Sequence, residues 1–246
     1  MHSKPVYSSA WFDTFAPRPE SVASIDVAAI SRLCPRPEYP RLLEIACGSG
    51  RVAGPLASIG YDVIGLDISS EALRLAQAQA PGPKYVAMDQ RDIAQMPWIF
   101  DGVIVLWNSI GFGTRANDQE TLRGVAQVLR PDGKFLIDLY HPEWLAEQSD
   151  TAVRSPGATV RRWIEHGRCF HVITYDNGTV DDIRFNVYLP DDISAALERV
   201  GIEVRSRMTW WTAERAPSRA CARYQPECRV AGRPHCVSRT ATVFPA

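Results

Sequence analysis

Apolar residues along this chain fall first into a cluster of aromatics and then into short runs alternating with stretches of helical spacing. Tyr7, Trp11, Phe12 and Phe15 lie close together, and Val22, Ile25, Ala29 and Ile30 recur near helical intervals. Residues 7–33 are therefore predicted to form a helical arm. The arm reads equally as an amphipathic helix packed on the fold and as an aromatic lid over a binding site. From residue 41 the pattern becomes strand and helix in turn. Strands are predicted over 41–46, 62–67, 84–88, 100–107 and 134–140, with helices over 52–59, 70–79 and 118–129. Ser69 or Ser70 is placed to cap the second of these helices. The run at 100–107 is almost wholly apolar, as suits a strand covered on both faces. Repeated βα units predict an α/β fold, a doubly wound (Rossmann-like) and mostly parallel sheet with ligands at the carboxyl ends of its strands.

The periodicity changes after residue 150. Residues 160–165, 170–175 and 183–188 read as short strands, with Asn177-Gly178 as a hairpin turn. This predicts an antiparallel insertion above the strand ends. Pro190-Asp191-Asp192 then opens a helix running to Val200, and 202–211 returns as a strand. The chain thus divides into an arm (1–33), a core (34–150), an insertion (151–190), the end of the core (191–217) and a tail (218–246). The tail breaks the pattern, with five Arg, three Cys and three Pro, and Glu227 as its one acid. A final antiparallel strand is required here, and no clean alternating run supplies it. A change of reading frame near Tyr224–Gln225 is the preferred reading, a disordered basic tail the alternative.

Composition narrows the classes. A chain of 246 residues, 46% hydrophobic, buries one large core. A formal charge of −1 provides no global field for nucleic acid. No apolar run approaches the ~20 residues of a membrane span, and Met-His-Ser-Lys-Pro-Val-Tyr carries no signal-peptide core. A soluble cytoplasmic protein, monomer or homodimer, is expected. Cys34, Cys47 and Cys169 read as small buried hydrophobes. Cys221, Cys228 and Cys236, with His235, lack the spacing of a zinc site, so no metal is expected.

The chemistry concentrates at 42–69, where Leu-Leu-Glu-Ile-Ala-Cys-Gly-Ser-Gly-Arg leads on to Val-Ile-Gly-Leu-Asp67-Ile-Ser. Gly48 and Gly50 allow backbone to approach a ligand, and Asp67 follows where a ribose diol needs an acceptor. A nucleoside-containing cofactor is implied. Gly48-Ser-Gly50-Arg-Val-Ala53 formally fits the dinucleotide fingerprint. Glu44, inside the first strand, instead suits a ligand with its own ammonium and sulfonium charges. Asp89, in Tyr85-Val-Ala-Met-Asp-Gln-Arg-Asp92, is placed to accept from an adenine amine. Leu129-Arg-Pro-Asp-Gly-Lys-Phe-Leu-Ile-Asp138 reads as a turn feeding a strand. An NAD-dependent oxidoreductase would leave Glu44 and Asp89 without a role.

Taken in order, these motifs resemble those of the class I S-adenosylmethionine-dependent methyltransferases, well over residues 8–145 and more loosely to 212. The resemblance is strongest to small-molecule and peptide-tailoring enzymes whose third motif reads Asp-Met-Arg, here Asp89-Gln90-Arg91. It implies transfer of a methyl group from S-adenosyl-L-methionine to nitrogen or oxygen of a small molecule or short peptide, as in natural-product biosynthesis, leaving S-adenosyl-L-homocysteine. It implies that Glu44, Ala46 and Gly48 hold the methionine end and that Gly50 permits the turn. Asp67 would take the ribose, while Ile68, Asp89 and the Gln90 amide surround adenine. Asp67 capping the next helix and Asp89 pairing with Arg91 are the structural alternatives.

On the acceptor side, Asn108 in Trp107-Asn-Ser-Ile-Gly-Phe112 ends the fourth strand near the expected sulfonium position. His141, just past the fifth strand, is the candidate general base, or else a space-filling strand-end histidine. Tyr7, Trp11, Tyr140, Trp144 and Tyr188, with Trp163 and Phe185, are candidate pocket walls. The insertion would cover the acceptor. The alternatives in function are a cofactor-binding protein that catalyses cyclisation or decarboxylation, and a catalytically silent binding subunit.

Overall fold

The computed structural model describes residues 6–15, 20–147, 149–150, 152–207, 223–224 and 240–245. Its central sheet is built from the apolar runs of the core. β1 (Arg41–Ile45) lies between β2 (Asp62–Asp67) and β4 (Phe100–Val105). β3 (Lys84–Ala87) pairs outside β2, and β5 (Leu129–Tyr140) outside β4, all in parallel. The chain winds outward from β1 through β3, then crosses back to β4. The switch point therefore lies between the carboxyl ends of β1 and β4, where such sheets open a crevice.

Strand alternation divides the core between the two faces. Leu43, Ile45, Ile64, Leu66, Val103 and Phe135 pack on one side with α5 (Arg115–Val128) and α7 (Pro190–Glu198). Leu42, Val63, Ile104 and Leu136 pack on the other with α2 (Glu20–Leu33) and α3 (Ala53–Ser58). Glu44 has the parity of Leu42, so it belongs to the second face at the strand's outlet. The predicted helix at 118–129 begins three residues earlier. Thr114 and Asn117 form a reciprocal capping box there, satisfying amides the helix leaves orphaned. Ser69 caps α4 (Ser70–Gln79) by accepting from the Ala72 amide at 3.2 Å.

The insertion is a separate antiparallel sheet of β6 (Ala152–Ser155), β7 (Ala158–Glu165), β8 (Arg168–Tyr175) and β9 (Val180–Asn186), in that order. β6 escapes sequence reading because four residues carry too little alternation. Asn177-Gly178 makes the predicted turn, with Gly178 at φ +85°. Its inner face packs on Ala10 of α1 (Ser9–Phe15) and Leu145 of α6 (Pro142–Glu147). Gly111, at φ +99°, lets the loop after β4 meet β9. A Cβ there would stand 3.1 Å from the Asn186 nitrogen, and the Gly111 carbonyl accepts from that amide at 2.8 Å. Asp118 of α5 fastens the same joint, accepting from the Gly111 amide, Asn186 Nδ2 and Tyr188 Oη.

Beyond β5 the sheet departs from expectation. β12 (Thr240–Pro245) runs parallel to β5 and to β10 (Glu203–Arg207), rather than antiparallel. Among the described residues, antiparallel pairing with β5 is confined to β11 (Arg223–Tyr224), opposite Tyr140 and Leu139. Thr240-Ala-Thr-Val-Phe is the part of the tail with high strand propensity, and it occupies the register beside Lys134–Leu139. The remaining tail, including Cys221, Cys228, His235 and Cys236, lies outside the described residues.

Candidate functional site

A cavity of about 520 Å³ opens at the switch point, between the carboxyl ends of the parallel strands, α1 and the antiparallel sheet. Its floor is the loop after β1. Ala46, Gly48 and Gly50 all have positive φ (56°, 54° and 76°), a conformation that side chains resist. Gly48 faces the cavity, where a Cβ would find nothing nearer than Phe12 at 3.8 Å. Gly50 faces away. A Cβ there would collide with Tyr85 Oη, so packing against β3 also excludes a side chain.

Glu44 is 5% exposed, and its Oε2 has no hydrogen-bond partner. Desolvation pushes its carboxyl up to about 8, against the nearby Arg51 guanidinium and the Ala53 amide. Asp67, at the end of β2, accepts from the Gly48 amide on Oδ2 and the Ser69 amide on Oδ1, each at 2.8 Å. It therefore ties the glycine turn to the next helix while still lining the cavity. Burial raises its carboxyl pKa, and the Ser69, Gly48 and Ile68 amides oppose the rise. Ile68, Asp89 and Gln90 line the same end. Asp89 is paired with Arg91 through bonds of 3.0 and 2.7 Å, so most of its acceptor capacity is already engaged.

Two consecutive residues after β4, Trp107 and Asn108, are left-handed (φ 57° and 55°). Trp107 is held there by Asp138 Oδ2, which accepts from its amide, and by Asp26 Oδ2, which accepts from its indole. Asn108 is buried, its Oδ1 accepting from the Tyr140 amide and its Nδ2 without a partner. Leu106, Trp107 and Ser109 line the cavity, whereas Asn108 supports its wall from behind.

The acceptor-side expectations separate. Tyr7, Trp11 and Tyr140 line the cavity. Trp144 stacks on Tyr140 at 5.3 Å, behind that wall. Phe185 packs against Phe112 and Tyr140, one layer back. Tyr188 lies in the main core, donating to Asp118 at 2.6 Å. Trp163 stacks on Phe170, its cross-strand partner, on the opposite face of the insertion from Arg162 and His171. His141 is not among the residues lining the cavity. Its Nδ1 accepts from the Glu143 amide at 3.3 Å and its carbonyl from Leu145, which is the work of a cap on α6.

Comparison with known proteins agrees with this architecture. Residues 42–133 match the family model described as a methyltransferase domain. YqeM of Bacillus subtilis, a methyltransferase by name, is 34% identical over 115 residues, 45% of this chain and 47% of that protein. Over residues 42–133, then, the chain is similar to methyltransferase domains. The chain spans about half the length of the first curated relatives it matches. An aminosugar N,N-dimethyltransferase of Streptomyces venezuelae is 27% identical over 158 residues, covering 63% and 64% of the two chains. The solved structure of an S-adenosylmethionine-dependent methyltransferase from Clostridium acetobutylicum superposes with a TM-score of 0.73. That likeness, at 15% identity over 91% and 98% of the two chains, is one of fold.

Around the matched residues lie cavity residues that motif reading passes over. Arg51, Phe112, Asp118, Arg162 and His171 all line it. The last two had a legible signal. His171, Ile173 and Tyr175 alternate with period two in the strand predicted over 170–175, and all three are buried, as is Cys169 just before it. A histidine on that face is an inward-pointing histidine. Cys34, Cys47 and Cys169 are free and buried as expected. Desolvation raises all three thiols, Cys34 and Cys169 to about 12, which keeps them unreactive.

Proposed function

We propose that this chain transfers a methyl group from S-adenosylmethionine to a nitrogen or oxygen of a small polar acceptor, an aminosugar-like or short peptide molecule being the class favoured. The observation that carries the reading is the buried Glu44 carboxyl, its Oε2 without a hydrogen-bond partner, beside the left-handed Ala46 and Gly48. A desolvated carboxyl with a free oxygen suits a cationic ligand, and the amino-acid end of S-adenosylmethionine is one. Gly48 leaves backbone exposed beside it, and Asp67 retains lone pairs for the ribose after holding two amides. Ile68 and Gln90 would flank the adenine, with the Asp89–Arg91 pair closing that end. The aminosugar methyltransferase relative supports the acceptor class, as does a second wall of mixed polar and apolar side chains.

When bound, S-adenosylmethionine supplies a methyl carbon already activated by its sulfonium. The chain's own contribution is to bind, align and exclude water. Trp11, Phe12 and Phe15 on α1 cover the cavity, and the strained Trp107–Asn108 turn fixes the wall where the acceptor lone pair must be aligned. An acceptor amine that arrives neutral needs no base. Residence in the cytoplasm is part of the proposal, supported by the fact that no described helix is long and apolar enough to cross a membrane.

The test is calorimetric titration of the full-length chain with S-adenosylhomocysteine, with NAD as control. Micromolar binding of the first alone is expected. Binding of NAD in its place, or of neither by the folded chain, overturns the proposal.

A further inference from the structure

The arginines lining the cavity are ion-paired at its parallel-sheet end and, among the described residues, unpaired at the other. Arg51 pairs with Asp26 at 3.2 Å, and Arg91 with Asp89 at 2.7 Å. Arg162, projecting from β7, has no carboxylate partner among the described residues, and its buried Nε has no hydrogen-bond acceptor. Directly opposite in the register of β8 is His171, 7% exposed, with Nε2 buried and equally unpartnered. Asp181 of β9, an acid on the same sheet face, is already engaged by the Ser8 amide and hydroxyl and by Tyr175 Oη. Ser155, Val160 and Ile173 complete the wall. The Trp144 ring, 5.5 Å from the Arg162 guanidinium, supports that cation from behind.

A guanidinium Nε and an imidazole Nε2 buried side by side without hydrogen-bond partners are costly, and as donors they fit an oxyanion. Resting on the methyltransferase reading above, we propose that Arg162 and His171 form an acceptor-binding subsite for an anionic group, a carboxylate or a phosphoryl, on the molecule to be methylated. The subsite sits across the cavity from Glu44 and Asp67. An acceptor anchored there by its negative end is held by the antiparallel sheet while its reacting atom points toward the donor site. Burial, together with the Arg162 charge, depresses the His171 pKa to about 3. His171 is thus a neutral hydrogen-bonding group at physiological pH and too weak a base to take the acceptor's proton.

The experiment saturates the full-length chain with S-adenosylhomocysteine. It is then titrated at constant ionic strength with benzoate and, separately, with inorganic phosphate. The signal is the His171 ring-proton resonance, identified by its loss in His171→Leu. At least one anion is expected to shift it saturably, benzoate marking a carboxylate site and phosphate a phosphoryl site. Arg162→Gln weakens that binding by about tenfold or more and Arg162→Lys by less, while affinity for S-adenosylhomocysteine is unchanged in both. A ligand-binding role also predicts that Arg162→Gln melts no lower than the parent, because it removes an uncompensated cation. No shift with either anion, equal binding by Arg162→Gln, or a lowered melting temperature in both Arg162 variants overturns the proposal. Failure to bind S-adenosylhomocysteine at all would instead sink the methyl-donor reading, and the same titrations without it would still decide the subsite.

Discussion

Glu44 shows most plainly how one residue can trade stability for binding. Its carboxyl moves from an ordinary 4.5 to about 8 in the folded chain, chiefly by desolvation. The folded state therefore holds this proton more tightly than the unfolded state. The associated stability is complete below about 4.5 and is lost as pH rises through about 8. Glu44→Gln escapes that loss. At pH 8.5 it is expected to melt higher than the parent, by about 2–4 °C for each kcal/mol recovered. Its affinity for S-adenosylhomocysteine should fall about tenfold or more, since a charge-assisted contact is gone. Melting curves and calorimetry on the same samples check both, and a lower melting point with undiminished binding would make Glu44 a packing residue. In the parent chain, binding of a ligand ammonium should expel the Glu44 proton. Affinity then climbs with pH up to about 8, and below that the binding enthalpy varies with the buffer's ionisation enthalpy. Buffer-independent enthalpies at pH 7 would count against the assignment.

Among elements, α1 shows how far a short helix depends on its surroundings. Seven residues are too few to hold a helix in water. Two sets of contacts order it over the cavity. Asp181 of β9 accepts from the Ser8 amide at 3.1 Å and from its hydroxyl at 3.1 Å. Aromatic contacts add to this, with Tyr7 packed 4.7 Å from Trp11 and 6.3 Å from Phe112. Asp181→Ala should free the arm, increasing cleavage by trypsin near its Arg and Lys residues and weakening S-adenosylhomocysteine binding about fivefold, the scale of one or two lost hydrogen bonds. Unaltered cleavage and affinity would mean that the aromatic cluster holds the arm alone. Of the two readings of this segment in the sequence, the helix is present, and its Trp11, Phe12 and Phe15 line the cavity. The amphipathic spacing predicted its helices, and the anchor on a strand about 170 residues away was invisible because nothing local requires it.

At the scale of the molecule, the sheet gains its last interior strand from the end of the chain. β12 lies between β5 and β10, with Thr242 opposite Leu136. Thr242→Pro removes a ladder donor from an interior strand and is expected to cost about 3 kcal/mol, whereas an irregular tail would tolerate it. Denaturant melts of the two chains, with amide exchange at 240–245, distinguish these outcomes. The doubly wound order, the glycine loop, the carboxylates at the ends of β1 and β2 and the antiparallel insertion were all legible beforehand. Each is written in local pattern, in the period of apolar residues, in glycines that meet positive φ, and in Ser69 or Asn177-Gly178 at turns. The parallel direction of β12 was not, because strand propensity says nothing of which neighbour a strand joins or which way it runs. Nor was the division of labour among the histidines. His141, next to a motif, caps α6, while His171, far from every motif, faces the cavity beside Arg162. Sequence by itself determined the strands and helices of the parallel core and which carboxylates and glycines end its first two strands, since those follow from near neighbours along the chain. Tertiary structure alone decided which side chains share the far wall of the cavity, because cross-strand register brings together residues that no sequence spacing relates.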